Sequence, residues 1–464
     1  MENHINTVKS FVENRLIEKN TLISIVYPLM EINFKSILDK IRDGSDVFFF
    51  SEKPNEGITI LGIDSTFDIS IYGDDRVTKT AEAISKIEQN FIHNWNEFEL
   101  SLPLFVGGMK FSANESDELW NSFADSDWFI PKFLFIELNN KAYLTYNFFI
   151  DSSDKGGYEK ELQKAYKLIN IVDRDRRTTI NNWITSTNKD DIEEKINWNE
   201  KVNTALSKIE SGEVQKIVLS RQIIIELKNK GNISCIVEKL AERYPGCNIF
   251  AYRKNGSIFF GASPEKLAKI SNGWIEADAL AGSISRSGDP IKDDNLAEEL
   301  LSSEKNLEEQ QVVVSFIVNS FSKFCDEIIY EENPIIRKLP NIQHLWTPIR
   351  AKLKSPKSIF SILEEIHPTP AICGVPWTNA LYSIKEMENH NRGLFSGMIG
   401  WFNFNNEGEF AVAIRSALMK EKTVYAFAGC GIVRGSDPDN EFEESELKLK
   451  PILSLFENET IYQL

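Results

Sequence analysis

The chain has 464 residues, of which 42% are hydrophobic and 26% are charged, and its formal net charge at pH 7 is −17. This length suits two or three domain-sized units with a sizeable core, and the negative charge argues against a nucleic-acid partner, because phosphate binding requires cations. The five cysteines are scattered, without the spacing of a zinc site or a disulfide framework, which indicates a reducing compartment.

The N-terminal sequence lacks the apolar segment of a secretory signal peptide. No apolar stretch reaches the roughly 18 residues that a membrane-spanning helix requires. We therefore expect a cytoplasmic protein with neither a membrane segment nor a membrane partner.

The N-terminal part, 1–190, predicts helices mixed with antiparallel strands. Apolar residues recur with a helical period at 5–19 and at 80–95. Short apolar runs predict strands at 22–27, 47–50, 57–63 and 102–113, and two further strands, 132–138 and 141–150, flank an Asn-Asn turn. The polar stretch 173–191 is the best linker candidate, so we expect a second part to comprise residues 191–464.

The second part opens with a predicted helix at 192–211 and a predicted strand at 214–225. In that strand, Lys216 shares a face with Val218 and Ser220. Most lysines in strands are solvent-exposed edge residues, and this alternative stays open for Lys216. A desolvated lysine instead loses its charge more readily and becomes a usable general base near neutral pH.

Two glutamates follow in positions where a carboxylate could serve a site. Strands at 249–252 and 257–260 flank an Asn-Gly turn, a strong hairpin signal, and the second leads into Glu265. Glu265 either points into a cleft or is an exposed turn residue. Residues 295–324 predict one long helix, and Glu309 lies at the border between its acidic and apolar parts, facing either a site or solvent.

A β-hairpin is predicted near the C-terminus, with 409–419 as its first strand. If its turn is centred on Glu421, Gly429 falls opposite Ala413 and diagonal to Arg415 on the same face. Small neighbours leave room beside Arg415 for a planar anion, which the guanidinium and the Gly429 N–H could hold together.

A helix follows the hairpin, capped by Ser436 or Asp437 and stopped by Pro451. Spacings of three and four place three charged residues on one face of this helix: Glu441, Glu444 and Lys448. The arrangement suggests a site for a cation and an organic acid, although a solvated helix with i,i+4 ion pairs fits the same spacing.

Eight motifs in this order resemble the chorismate-utilising family, which includes anthranilate, aminodeoxychorismate, salicylate and isochorismate synthases. The resemblance covers about residues 195–455 and implies an α+β fold, in which large antiparallel β-sheets pack as a sandwich with helices on the outside. The motifs are QKIVLSR (215–221), FFGASPEKL (259–267), ALAGS (279–283), HPTPAICG (367–374), FSGMIGWF (395–402), EFAVAIRSAL (409–418), FAGCGIV (427–433) and EFEESELKLK (441–450).

Two positions distinguish the members. Lys216 resembles the lysine of members that add water at C2 of chorismate, where anthranilate synthases typically carry glutamine. Ala281 stands where aminodeoxychorismate synthases carry a nucleophilic lysine. The resemblance therefore implies an isochorismate synthase, most similar to the menaquinone type, that acts on chorismate with Mg²⁺ and without an obligate glutaminase subunit.

Three alternatives stay open at this stage. A salicylate synthase would use the same acid, base and metal and would also expel pyruvate. An isochorismate synthase of a siderophore pathway would catalyse the same isomerisation. A non-catalytic chorismate-binding subunit is the third alternative, against which the intact acid, base and metal set argues.

The resemblance also implies a role for each matching residue. Lys216 would be the general base and Glu265, kept protonated by burial, the general acid. Glu309 and Glu444 would hold Mg²⁺, with Glu441 as a further or water-mediated ligand. The substrate-binding residues would be Ser283, Arg415, Gly429, Lys448, Ala281, Gly282 and Thr369.

The sequence departs from the family pattern beside these residues. Gln310 stands where a histidine commonly follows the metal-binding glutamate, and Cys430 replaces an alanine in the glycine loop. Phe442 and Ser445 replace a tryptophan and a threonine on either side of Glu444. These substitutions leave the metal-binding carboxylates in place and bear on the groups that orient them.

Overall fold

The structure is a computed structural model, and it describes residues 2–13, 20–41, 45–98, 100–114, 117–150, 157–169, 184–187, 191–355 and 357–457. The strands are β1 (Thr21–Leu29), β2 (Val47–Lys53), β3 (Ile58–Ile71), β4 (Phe91–His93), β5 (Phe105–Met109), β6 (Ser126–Leu138), β7 (Lys141–Ile150), β8 (Ile184–Thr187), β9 (Lys216–Leu227), β10 (Asn248–Lys254), β11 (Ser257–Ser263), β12 (Lys266–Ser271), β13 (Trp274–Ser285), β14 (Cys325–Ile329), β15 (Ile335–Lys338), β16 (Ile342–Leu353), β17 (Gly374–Val375), β18 (Met398–Phe402), β19 (Gly408–Val412), β20 (Ser416–Lys420) and β21 (Thr423–Ile432). The α-helices are α1 (Glu2–Glu13), α2 (Phe34–Ile41), α3 (Arg76–Glu88), α4 (Gly157–Ile169), α5 (Asp191–Glu210), α6 (Ile233–Arg243), α7 (Pro290–Ser302), α8 (Glu304–Ser322), α9 (Ile359–Ile366), α10 (Trp377–Met387) and α11 (Pro438–Leu453).

The strands form two antiparallel layers that share β3 and β6. The first layer runs β4-β1-β7-β6-β3-β2-β10-β11-β20-β21-β9 in hydrogen-bonded order. The second runs β3-β6-β5-β18-β19-β12-β13-β16. A bulge between Ser65 and Phe67 interrupts the shared ladder, and bulges bend strands, which lets one pair serve both layers. Among the described strand pairs, only β1 and β4 run parallel.

Side chains alternate between the two sides of each strand, so the buried residues lie in three places: between the two layers and on the outer face of each layer. Aromatic and aliphatic residues from both layers meet in one buried cluster between them, including Phe49, Tyr252, Phe259, Val106 and Ile399. Helices α1, α2, α4, α6 and α11 cover the outer face of the first layer, and α3, α8 and α9 cover that of the second. The expected α+β sandwich with external helices is therefore confirmed.

The predicted long helix 295–324 is wrong, because two helices occupy this region. α7 ends at Ser302 and α8 begins at Glu304, with Ser303 between them in an extended conformation (φ −75°, ψ 108°). The Ser303 hydroxyl accepts a hydrogen bond from the backbone N–H of Asn306 and so caps α8. A serine cap that supplies an N-terminal acceptor favours a new helix start.

The predicted single strand 409–419 is also wrong. β19 ends at Val412 and β20 begins at Ser416, and Arg415 between them has a left-handed backbone with φ 52°. β19 pairs within the second layer and β20 within the first, so the chain changes layers at this break. The alternation of side chains cannot continue through such a residue.

The predicted register of the following hairpin differs by one residue from the observed one. Lys420 pairs with Thr423, so Glu421, with φ 52°, occupies the first position of a two-residue turn. Two-residue turns with positive φ match the twist of a hairpin. Gly429 consequently lies beyond the β20 ladder and pairs with Ser220 of β9 instead.

Two helix ends differ from prediction. The helix expected at 80–95 ends as α3 at Glu88, and Phe91–His93 then pairs with β1 as β4. Pro451 does not stop α11, which continues to Leu453. Proline lacks the N–H that would bond to Leu447, and the side chain of Asn341 donates to that Leu447 carbonyl oxygen at 2.6 Å.

Part of the predicted helix 5–19 and most of the candidate linker 173–191 lie outside the described residues. Residues 184–187 of that linker form β8, which pairs with β9. The division at residue 190 stays a prediction, and strands from its two sides pair with each other, β2 with β10 and β5 with β18. Within the described part of the chain, no helix has the length and apolarity to span a bilayer.

Candidate active site

A cavity opens at the end of the sandwich where β9 and β21 of the first layer face β13 of the second. Helices α8 and α11 contribute the remaining polar wall. Of the predicted site residues, the cavity is lined by Glu265, Ala281, Gly282, Ser283, Glu309, Arg415, Gly429, Glu444 and Lys448. Three further predicted residues, Lys216, Glu441 and Thr369, lie outside this lining.

Glu265 and Arg415 occupy two of the points at which the chain changes layers. Glu265 lies between β11 and β12, and Arg415 lies between β19 and β20. The two crossings are hydrogen-bonded to each other: the Val412 N–H donates to the Glu265 carbonyl, and the Ala262 N–H donates to the Arg415 carbonyl, both at 3.1 Å. The paired crossings therefore deliver a carboxyl and a guanidinium side by side to the cavity.

The Glu265 carboxyl is an acid held in its neutral form. The residue is 3% exposed, and its Oε1 has no hydrogen-bond partner in the described part of the chain. Burial raises the pKa of Glu265 to about 8, with a further increase from the Asp278 carboxylate, against the opposing charges of Lys216 and Lys448. The carboxyl is thus mostly protonated at neutral pH and can donate a proton.

Lys216 and Glu309 form a buried pair at the rear of the cavity. Lys216 begins β9, its side chain is 1% exposed, and its Nζ lies 2.8 Å from Oε1 of Glu309. Gly431 on the neighbouring strand makes room for this pair, because a Cβ there would lie 2.3 Å from Oε1 of Glu309 and 2.8 Å from Cε of Lys216. Burial works to raise the pKa of Glu309, but the nearby lysines Lys216, Lys448 and Lys305 together outweigh it and hold that pKa below its ordinary value.

Helix α11 presents its predicted charged face to the cavity. Lys448 lies 2.6 Å from Glu444 and also donates to the Gly429 carbonyl at 3.0 Å. Glu441, 2% exposed, is paired at 2.6 Å with Lys305 of α8. The predicted cap is confirmed, since the Asp437 side chain accepts from a backbone N–H in the first turn.

Two carboxylates of α11, Glu441 and Glu444, lie together in a donor set suited to a hard cation. Ligand atoms of Cys430, Glu441 and Glu444 lie within 4.8 Å of one another. Burial raises the pKa of the Cys430 thiol well above its usual range, and the Cys430 Sγ donates to the Glu441 carbonyl. The thiol is therefore a poor ligand, and the oxygens that remain are those that Mg²⁺ prefers.

His344 is a cavity residue that sequence reasoning missed. Its Nε2 accepts from the Arg415 guanidinium at 2.9 Å, and its Nδ1 lies 3.1 Å from both the Gly282 carbonyl and the Ser283 hydroxyl. These partners assign the proton to Nδ1. Burial, then Arg415, lower the pKa of His344 well below its usual value, so the neutral ring orients Arg415. None of the sequence motifs contains this histidine, and only the pairing of β16 with β13 reveals its place.

A bulge in β13 shapes the wall next to His344. The ladder with β16 shifts register between Ala281 and Ser283, and Gly282 has φ +66°. A Cβ on Gly282 would also approach Asn306 to 3.0 Å. Because the bulge breaks the alternation of sides, four consecutive residues of β13, Leu280 to Ser283, line the cavity.

The loop before β18 supplies a second group of residues that the motifs did not single out. Arg392, 2% exposed, lines the cavity and donates at 2.7 Å to the carbonyls of Val218 and Ile372. Ile372 belongs to the HPTPAICG motif, whose Thr369 is buried, with an Oγ1 that bonds to nothing in the described residues. The role of Thr369 in substrate binding stays a prediction. Arg392 connects the HPTPAICG motif to β9 through its two hydrogen bonds.

The departures from the family pattern hold the site elements in place. Gln310 donates from α8 to the Ala279 carbonyl of β13 at 3.0 Å, which anchors the helix that carries Glu309. The Arg221 guanidinium lies 4.3 Å from the Phe442 ring centroid and donates to Ser445 Oγ at 2.8 Å. These contacts join α11 to β9, which orients the carboxylates of both helices.

Comparison with known proteins places relatives across nearly the whole chain. A family model described as chorismate binding enzyme matches residues 6–457. Isochorismate synthase MenF of Bacillus subtilis (strain 168) is 33% identical, over 88% of this chain and 87% of that protein. The salicylate biosynthesis isochorismate synthase of Pseudomonas aeruginosa is 32% identical, over 75% of this chain and 73% of that protein.

Two solved structures have a similar fold. The menaquinone-specific isochorismate synthase MenF from Escherichia coli aligns over 98% of this chain and 100% of its own, with a TM-score of 0.78 and 20% identity. Anthranilate synthase component I from Streptococcus pneumoniae TIGR4 aligns over 85% of this chain and 91% of its own, with a TM-score of 0.69 and 20% identity.

Proposed function

This chain belongs to the chorismate-binding enzyme family, and from that premise we propose that it is an isochorismate synthase. The reaction is the Mg²⁺-dependent addition of water at C2 of chorismate with loss of the C4 hydroxyl. The proposal rests on a buried carboxyl in the cavity, Glu265, whose pKa is raised to about 8, and on a buried lysine, Lys216, that is paired with the cavity residue Glu309. The names of the relatives that match most of the chain agree with it.

Glu265 is the proposed general acid. Its neutral carboxyl delivers a proton to the departing C4 hydroxyl, which leaves as water. The Oε1 atom of Glu265 has no hydrogen-bond partner in the described residues, so no internal hydrogen bond has to break when substrate binds. Because Glu265 is buried, its carboxyl keeps its proton and has one oxygen without a hydrogen-bond partner, to which substrate can bind.

Lys216 is the proposed general base, which takes a proton from water as the oxygen attacks C2. In this structure Lys216 is ion-paired with Glu309, so it must leave that carboxylate and release its own proton to solvent before the neutral amine can accept a proton from water. Contacts in a substrate-free site often tighten or exchange only in the complex. Base and acid come from different elements, β9 and the crossing between β11 and β12, which suits attack on one face and departure from the other.

We propose that Glu309 and Glu444 hold Mg²⁺ on the ring carboxylate, with Glu441 acting directly or through water. When bound, the ion supplies positive charge that stabilises the anion developing as the hydroxyl leaves. The carboxylate oxygens of Glu441 and Glu444, beside a Cys430 thiol that burial keeps protonated, support this choice over a softer metal.

Substrate is held by the remaining cavity residues. We propose that Arg415, fixed by His344, and the backbone of Gly429 bind the enolpyruvyl carboxylate. Ser283 and Lys448 contact the ring carboxylate, and Ala281 and Gly282 form the wall beside the ring. Alanine at position 281 offers no nucleophile there, which supports direct water addition.

The biological setting is proposed from the relatives. The MenF protein of Escherichia coli is described as menaquinone-specific, and the Bacillus subtilis relative carries the MenF name. We therefore assign the product to menaquinone synthesis in the cytoplasm. Chorismate is the proposed partner, with no nucleic acid and no obligate glutaminase subunit.

The test is product analysis after incubation of the purified chain with chorismate and Mg²⁺. We expect isochorismate as the main product, whereas salicylate with pyruvate would assign the chain to the salicylate synthases. Lys216→Met and Glu265→Gln should each lower kcat by roughly a hundredfold or more. Lys422→Met, at an exposed hairpin turn, is the matched control. Full turnover by Lys216→Met would overturn the proposal.

A further inference from the structure

Each carboxylate proposed for the cation has its own lysine in this structure. Two of these lysines have tasks in the proposed reaction, as the base and as a ligand of the ring carboxylate, but Lys305 has none. The three ion pairs are Glu309 with Lys216 at 2.8 Å, Glu444 with Lys448 at 2.6 Å, and Glu441 with Lys305 at 2.6 Å.

Lys305 lies on the solvent side of its partner. It occupies the first turn of α8, one turn before Glu309. Its side chain is 33% exposed, whereas the Glu441 side chain is 3% exposed. Both residues line a solvent-open side cavity that shares Ser283 and Glu444 with the main one. The Lys305 ammonium therefore covers Glu441 and can withdraw into water without losing hydration.

The charge of Lys305 reaches the whole carboxylate set. Its pKa is raised although burial works to lower it, because Glu441, Glu444 and Glu309 all act on the ammonium. In turn, Lys305 contributes to the depressed pKa of Glu309. One ammonium thus weakens the field that three carboxylates would otherwise offer to a divalent cation.

We propose that Lys305 is a built-in competitor of the cation, which neutralises Glu441 in the metal-free enzyme and is displaced into solvent when the metal binds. This inference rests on the proposed cation site. The consequence is a weaker and more readily exchanged ion than three unpaired carboxylates would hold. Lys305 touches neither the reacting ring nor the base, so it acts as a positioning residue through Glu441.

The test is Mg²⁺ binding by isothermal titration calorimetry, with and without chorismate, on wild type and Lys305→Met. We expect the variant to bind Mg²⁺ on the order of tenfold more tightly, because one positive charge near the ion is gone. The matched control is Lys323→Met, which removes a lysine paired with Glu365 at 2.6 Å at the far end of α8. Its Mg²⁺ affinity should equal that of wild type.

Thermal unfolding gives a second readout that does not depend on turnover. In EDTA, Lys305→Met should unfold at a lower temperature, because Glu441 loses its counter-ion, and saturating Mg²⁺ should raise its Tm by more than that of wild type. The double variant Lys305→Met/Glu441→Gln should show a smaller gain in Mg²⁺ affinity, since it lacks the carboxylate for which Lys305 and Mg²⁺ compete.

The outcomes separate this inference from the proposed function. A wild type that binds Mg²⁺ and makes isochorismate, together with a Lys305→Met variant that binds Mg²⁺ no more tightly, would overturn the competition alone. Absence of Mg²⁺ binding in every variant, with or without chorismate, would overturn both the cation site and the competition.

Discussion

The rate of isochorismate formation should fall as pH rises through the pKa of Glu265, and Asp278→Asn should move that fall to lower pH. Asp278 of β13 is buried beside the acid and accepts hydrogen bonds from Trp346 at 2.9 Å and from Arg337 at 3.2 Å. Asparagine keeps the shape of this side chain and removes its negative charge. Without this negative charge nearby, the ionised form of Glu265 is less unfavourable, so the pKa of Glu265 falls.

The size of the effect follows from the acid itself. The pKa of Glu265 rises from 4.5 to about 8, which corresponds to about 5 kcal/mol in favour of the neutral carboxyl. At pH 7 roughly nine-tenths of the enzyme carries the proton, and at pH 9 roughly one-tenth. Burial is the larger cause and Asp278 the next, so the variant should move the alkaline limb down by on the order of one pH unit.

The assay is kcat/KM for chorismate between pH 6 and pH 10 at saturating Mg²⁺. Wild type should lose activity about tenfold per pH unit above about pH 8. Asp294→Asn, at a position 73% exposed and paired with Lys338, is the control and should leave the limb unchanged. A wild-type profile flat to pH 10, or a limb that stays in place in Asp278→Asn, would refute the assignment of Glu265 as the acid.

Three further variants test other contacts of the site. Gly431→Ala should lower kcat by roughly tenfold or more, because the new Cβ displaces Glu309 and Lys216; wild-type kcat in a normally folded variant would contradict this. Arg415→Gln should raise KM for chorismate by roughly tenfold to a hundredfold through loss of a charge-assisted bond, and an unchanged KM would exclude Arg415 as a ligand. The raised pKa of Glu265 makes its contribution to stability complete below about pH 4.5 and lost as pH rises through about 8. Glu265→Gln should therefore raise Tm at pH 9 relative to wild type, measured by calorimetry. A lowered Tm at pH 9 would argue that the ionised Glu265 carboxylate does not destabilise the fold.

Local sequence patterns predicted those parts of the fold that depend on neighbours in the chain. The Asn-Gly hairpin forms with Asn255 and Gly256 both at positive φ, and Asp437 caps α11 as expected. The i,i+4 face of α11 brings Glu444 and Lys448 within 2.6 Å. Turn chemistry, capping and helical spacing involve only a few consecutive residues, so the sequence states them directly.

The breaks in regular structure were harder to predict. The strand expected at 409–419 divides at Arg415, and the helix expected at 295–324 divides at Ser303. Hydrophobic residues continue on both sides of each break, so their pattern alone marks no boundary there. At Arg415 the strand breaks because the chain moves from the second layer to the first. A window of consecutive residues does not show which layer each strand joins.

Through its resemblance to the family, the sequence predicted the chemical groups of the proposed site and their order: the amine at 216, the acid at 265 and the carboxylates of α8 and α11. Only the tertiary structure decided their partners, such as His344 with Arg415, 71 residues apart, and Lys305 with Glu441, 136 residues apart. The physical reason is that such contacts depend on strand register and on where two layers close. These are set by packing of the whole sandwich rather than by any short segment.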